Sequence, residues 1–138
     1  MISVARAQQL HEAGLRWRPQ AGDSFAVRVL EDQVFTIADM VVEPREYPTG
    51  TVLGFNGTTE WALDSVAQED ALWLPREDQL RELLGGRFRS LARSTYGGYQ
   101  VLVELAGRPE QVFSADDASD AYAQAVLQLV SMAVSPPD

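Results

Sequence analysis

Pro75-Arg76-Glu77-Asp78-Gln79-Leu80-Arg81-Glu82-Leu83-Leu84-Gly85-Gly86 decides the fold, because it reads as a helix with both ends written into it. Proline suits the first helical turn, where its missing N–H loses no partner. The acids Glu77 and Asp78 follow, and carboxylates are favoured at the positive end of the helix dipole. Leu80, Leu83 and Leu84 recur at helical spacing and give a stripe to bury. Gly85-Gly86 stops the run, since glycine enters the left-handed backbone region that ends helices.

Downstream the period changes from helical to alternating. Phe88 to Ser94 and Tyr99 to Ala106 read as strands joined by Tyr96-Gly97-Gly98, a hairpin turn. Gly107-Arg108-Pro109 turns the chain again into Gln111 to Ser114. A last helix runs from about Asp117 to Val134, with Asp116 or Ser114 as its cap.

Upstream, Ser3 caps a helix to about Ala13, with Gly14 as its stop and Val4, Ala7, Leu10 and His11 on one face. Leu15 to Asp23 contains Pro19 and Gly22-Asp23 and reads as a loop. Ser24 to Leu30 and Gln33 to Glu43 form an expected hairpin, with Glu31-Asp32 at the turn. Pro44 and Pro48 bracket a connection to a third strand, Thr51 to Phe55, which Asn56-Gly57 ends. Glu60 to Leu63 is read as a fourth strand, Ala67 to Asp70 as a loop or turn, and the next residues as an extended entry into Pro75.

The resulting order is α-β-β-β-β-α-β-β-β-α. With no βαβ alternation, it predicts the α+β class, three helices on antiparallel sheet. One domain over 1–138 is expected; a split into sub-halves 1–70 and 71–138 stays open, though at ~70 residues neither would be comfortable alone.

The chain has 138 residues, 46% of them hydrophobic, and no cysteine, so it can bury a core without disulfide staples. This composition excludes a disulfide scaffold, collagen, a coiled coil, a disordered tail and a membrane span. All eleven bases are arginine, and with twenty acids the net charge is −9. The lack of lysine, the single asparagine and the seventeen alanines are what a GC-rich bacterial genome would leave. The charge is uneven. Residues 31–72 hold one arginine and nine acids, and residues 116–138 hold four acids and no base. Residues 73–93 hold five arginines and three acids, net +2. The N-terminus lacks the apolar run of a signal peptide, so the cytoplasm is expected. Asn56-Gly57-Thr58 matches a glycosylation sequon, which has meaning only in a secretory pathway.

Arg87, Arg89 and Arg93 fall at even spacing, which on a strand puts them on one face with Leu91. Two readings follow: an anion or nucleic-acid stripe, or a solvated face paired with nearby acids. The order α-β-β-β-α resembles the double-stranded-RNA-binding domain. That resemblance implies a basic cluster at the start of the last helix. Asp116-Asp117-Ala118-Ser119-Asp120 stands there instead, and its carboxylates would repel phosphate, so no nucleic-acid partner is expected.

Catalytic chemistry has few carriers. Cysteine nucleophiles, lysine Schiff bases and Gly-Lys-Ser/Thr phosphate loops are excluded by residue counts alone. His11 is the single histidine, so zinc clusters are excluded too, and no serine sits in a glycine-flanked elbow. The pairs Glu60 and Asp64, Glu69-Asp70 and Glu77-Asp78 could hold Mg²⁺ or exchange protons, or simply be solvated. No catalytic residue, metal ligand or cofactor is assigned.

Two surfaces stand out. Asn56, Glu60, Trp61 and Asp64, with Trp73 and Arg76, could line a ligand groove; otherwise Trp61 is a core anchor and Asn56-Gly57 only a turn. The last helix confines its polar residues to one stripe, Asp117, Asp120, Gln124, Gln128, Ser131 and Ser135. A helix apolar over the rest of its circumference must pack on more than one side. Its partners are the sheet plus the Leu80 helix, or the sheet plus a second subunit. In the latter case Tyr122, Val126, Leu129, Val130 and Ala133 form the interface of a homodimer or of a complex with another protein.

Phe55-Asn56-Gly57-Thr58-Thr59-Glu60-Trp61-Ala62-Leu63-Asp64-Ser65-Val66 and Trp73-Leu74-Pro75-Arg76-Glu77-Asp78-Gln79-Leu80-Arg81-Glu82-Leu83-Leu84, with Ala13-Gly14-Leu15-Arg16-Trp17, resemble a family of short acidic actinobacterial proteins. Its members are often labelled pilus-assembly proteins. The ATPase-like proteins behind that label use a phosphate loop, which this chain lacks. The resemblance implies no catalytic residue. The expected function is a non-enzymatic protein-interaction or adaptor domain. The alternative is a small-ligand-binding domain with a groove near Trp61 and Arg76; a carboxylate and Mg²⁺ enzyme comes third.

Overall fold

The computed structural model describes residues 1–37, 41–47, 50–56 and 65–134, and side-chain surroundings for 1–37 and 69–133. Its class is α+β. Among the described residues, three α-helices accompany three three-stranded sheets, antiparallel throughout. The chain divides into two compact units, and the second, Trp17–Leu74, is inserted between two segments of the first, Met1–Arg16 and Pro75–Asp138. This division does not follow a cut near residue 70. The N-terminal helix belongs with the C-terminal segments, because it packs on the last helix.

The first unit holds all three helices: α1 (Val4–Glu12), α2 (Glu77–Leu84) and α3 (Ala118–Val134). Ser3 caps α1 by accepting the Arg6 N–H at 3.2 Å, and Ala7 and Leu10 are buried while His11 is exposed. At the start of α2, Gln79 Oε1 accepts the Arg76 backbone N–H at 2.9 Å, half of a capping box. Leu80 and Leu84 are fully buried, but Leu83 is exposed, so the α2 stripe is narrower than its leucines suggest.

Three strands form this unit's sheet: β7 (Phe88–Arg93), β8 (Tyr99–Val103) and β9 (Gln111–Ala115), in the order β7-β8-β9. Paired residues share a face. Leu91, Val101 and Phe113 lie on one side; Ser90, Leu102 and Val112 lie on the other. Val101 and Val103 are buried, and α3 packs on β8 and β9. The core of the unit joins these valines to Leu10, Leu80, Leu84, Leu105, Tyr122 and Val126.

The second unit starts with β1 (Ser24–Val27), β2 (Gln33–Thr36) and β6 (Ala71–Leu74), in the order β2-β1-β6. All four residues of the central β1 are buried. Its core gathers Phe25, Val27, Ile37 and Ala71, with Trp17 and Phe35 against them. The rings of Trp17 and Phe35 lie 5.5 and 5.8 Å from that of Phe25. The Trp17 indole N–H donates to Asp23 at 2.9 Å, which satisfies both an indole and a buried carboxylate.

The expected turn at Glu31-Asp32 is present, with φ of 55° and 60°, but the strand before it is shorter because Arg28–Leu30 forms a 3-10 turn. The expected strand Gln33 to Glu43 is two strands. β2 ends at Thr36, and β3 (Val41–Tyr47) pairs instead with β4 (Gly50–Asn56) and, through it, β5 (Ser65–Ala67). Pro44 does not bracket a connection. It sits inside β3, an edge strand, where a residue without an N–H is tolerated. The expected strand at Glu60 to Leu63 lies outside the described residues, as does Pro48.

Candidate functional site

A concavity lies in the first unit, at one end of its sheet. Gly86, Arg87 and Arg89 enter β7 on one side; Glu104, Leu105, Ala106, Gly107 and Arg108 leave β8 on the other. Between them is a groove of about 620 Å³. The local sequence explains its shape. Gly85 has φ of 58° and turns the chain out of α2. Gly107 has φ of 76° and turns it out of β8, and the Arg108 N–H closes that turn on the Leu105 carbonyl at 3.1 Å. A Cβ at Gly86 or Gly107 would meet nothing within 4 Å, so both backbones border open space.

This end of β7 also corrects the arginine stripe. The register shifts between Phe88, opposite Val103, and Ser90, opposite Leu102. Arg89 is therefore an extra residue in a β-bulge, and even spacing no longer puts it on one face with Leu91 and Arg93. Arg87 lies in a 3-10 turn, and its guanidinium reaches the Leu84 carbonyl at 3.5 Å. Arg89 donates to the carbonyls of Gly86 and Phe88 and to Glu104 Oε2, the last at 3.1 Å. This is an exposed ion pair, worth well under ~1 kcal/mol.

The start of α3 is a second charged region. Asp117, rather than Asp116 or Ser114, caps the helix: its Oδ1 accepts the Ser119 N–H at 2.8 Å. Burial pushes the Asp117 carboxyl up, but the Ser119 N–H, the nearby chain ammonium and the Ser119 hydroxyl outweigh it and hold the pKa below the usual carboxylate value. Asp120 accepts the Ser3 N–H at 2.8 Å. These acids are hydrogen-bonded parts of the fold. Asp78 is also lowered, by its hydrogen bond from the Arg76 guanidinium at 3.1 Å.

Of the expected ligand groove, only Trp73 and Arg76 have described surroundings. Glu60, Trp61 and Asp64 lie outside the described residues, and Asn56 is described only as the end of β4. Trp73 is in the second unit, half-buried on β6, and Arg76 is in the first. The Trp73 indole nitrogen is buried with no hydrogen-bond partner among the described residues. Of the expected interface, Tyr122 and Val126 are each 1% exposed and belong to the core of the first unit. That is a correction: α1, α2 and the sheet supply the packing that a second subunit was expected to supply. Leu129 and Val130 are half-buried, and Ala133 is exposed. Among the described residues, no three His, Cys, Asp or Glu side chains cluster as metal ligands would.

The arginine groove could have been only half read. Arg87 and Arg89 stand out in sequence, but Arg108 is 19 residues from Arg89, and only the β7-β8 pairing joins them. No family model, curated protein or solved structure matches the chain.

Proposed function

We propose that this chain is a non-enzymatic protein-interaction or adaptor domain that docks through the open face of the β7-β8-β9 sheet. The likeness to short acidic actinobacterial proteins and a place in the cytoplasm belong to the same proposal. The observation that carries it is the composition of that face. An uncovered antiparallel face ordinarily presents polar side chains to water. Here Leu102 lies beside Val112, which is 56% exposed, with Ala92 next to them and Ser90, Gln100 and Ser114 around. An apolar centre with a rim of uncharged polar groups is how protein-binding patches are built. Tyr96, 98% exposed at the tip of the β7-β8 hairpin, adds an aromatic anchor at the edge of the face. Among the described residues no helix is long and apolar enough to cross a membrane, which fits a partner met in water.

The test is Val112→Glu in the full chain, with partners captured from host lysate on wild type and variant side by side. Light scattering on both reads self-association. A partner or second copy held by wild type and lost from a folded Val112→Glu supports the reading. Equal retention by both removes it.

A further inference from the structure

We infer that the groove between β7 and the end of β8 binds a phosphate dianion, free or as a monoester on a small molecule. The inference does not rest on the protein-contact reading, because it uses the end of the sheet rather than its open face.

The argument is one of charge and unused donors. Three guanidiniums and one carboxylate line the groove, net +2, while the other residues together carry −11. Each guanidinium has five N–H donors. Arg87 spends one on the Leu84 carbonyl. Arg89 is held in place by Gly86, Phe88 and Glu104. Arg108 has no hydrogen bond or ion pair from its side chain among the described residues. Most of these donors are thus unspent, beside open space at Gly86 and Gly107. Arginine forks match phosphate oxygens two at a time, and such charge-assisted bonds are about twice as strong as neutral ones.

Glu104 makes the site selective for charge. Its carboxylate sets the net at +2 rather than +3, and it sits 3.1 Å from the Arg89 guanidinium at the groove wall. A monoanion would leave one positive charge uncompensated. A dianion matches the net charge, and phosphate groups are largely dianionic above pH ~7.

The test is titration of the isotopically labelled full chain at pH 8 and low ionic strength, following the Gly86 and Gly107 amide resonances. The probes are inorganic phosphate, phosphoserine and acetate. Saturable shifts with inorganic phosphate are expected, with acetate far weaker. Arg108→Gln should weaken the apparent affinity about tenfold. Arg93→Gln, whose side chain does not line the groove, should leave it unchanged. Saturation by inorganic phosphate alone assigns a free-anion site; saturation by phosphoserine as well assigns a monoester site, and either upholds the inference. Shifts that never saturate, that acetate reproduces, or that persist equally in Arg108→Gln overturn it.

Discussion

Removing one oxygen should make the protein more stable. Tyr122 is 1% exposed, and its hydroxyl is buried with no hydrogen-bond partner among the described residues. Burying such a hydroxyl costs roughly 1–3 kcal/mol by protein measurements. Tyr122→Phe removes that cost and leaves a void of about one oxygen. At ~24 cal/mol per Å³, a void of ~15 Å³ gives back roughly 0.4 kcal/mol. The ring contact with Phe88, 5.7 Å between centroids, survives the substitution. The net expectation is a gain of about 1 kcal/mol, which at an m-value of ~2 kcal/mol/M raises the urea midpoint by roughly 0.5 M.

The division into units supplies the assay. The α-helices among the described residues all lie in the first unit, and all three tryptophans, Trp17, Trp61 and Trp73, lie within Trp17–Leu74. Far-UV ellipticity therefore follows the first unit, and tryptophan fluorescence the second. The midpoint by ellipticity should rise with m unchanged. A midpoint that falls would show that the hydroxyl is bonded in solution, and the reasoning from an orphaned group would fail.

Two further outcomes are expected. Gly97 and Gly98 both have positive φ, 88° and 81°, but a Cβ meets nothing at Gly97 and lies 2.9 Å from the Ala115 carbonyl oxygen at Gly98. Gly97→Ala should cost about 1 kcal/mol for the left-handed backbone, and Gly98→Ala at least as much again; equal urea midpoints would refute the clash. Asp117→Ala should cost about 1 kcal/mol at neutral pH by uncapping α3. Because the folded Asp117 pKa is depressed, its contribution is present above the unfolded value of 3.8 and lost as pH falls through the folded one. The wild-type advantage over the alanine variant should therefore shrink between pH ~5 and ~2, and an advantage that grew on acidification would reverse the sign assigned to that carboxyl.

The helices were legible because their ends are chemically marked. Ser3 and Gly14 bound α1, and Pro75 and Gly85 bound α2, within two residues of the observed limits. The β7-β8-β9 hairpins were legible from Gly97-Gly98 and Gly107. The second unit was harder for a physical reason. Its strands pair across gaps: β1 finds β6 more than forty residues away, and nothing in alternation encodes a partner. A strand change also hides inside Gln33 to Glu43, where the run of Val, Phe and Ile continues although the chain passes from one sheet to another. The bulge at Arg89 is invisible to a period-2 count, which assumes that no residue is inserted. The arginine groove needed the same register, and so needed the structure.

The last helix shows how one pattern served two readings. Its excess of apolar residues required more than one packing partner, and over the first turns α1, α2, β8 and β9 meet that requirement. Small residues allow the close approach: Ala118, Ala121, Ala123 and Ala125 are all buried beside Tyr122 and Val126. Even the polar stripe is used there, since Asp120 accepts the Ser3 N–H and Gln124 donates to the Ser114 carbonyl at 2.9 Å. Coverage fades from Leu127 onward, and Ser131 and Ala133 are exposed. Any partner of α3 must therefore meet its last turns. Val126→Arg and Ala133→Arg separate the two ends. The first buries an unpaired charge in the core and should abolish cooperative unfolding of the first unit by ellipticity. The second should change the urea midpoint by less than ~0.5 kcal/mol equivalent, as a surface substitution does. If Ala133→Arg unfolds the unit while Val126→Arg is tolerated, α3 is seated the other way round and the assignment of its core face is wrong.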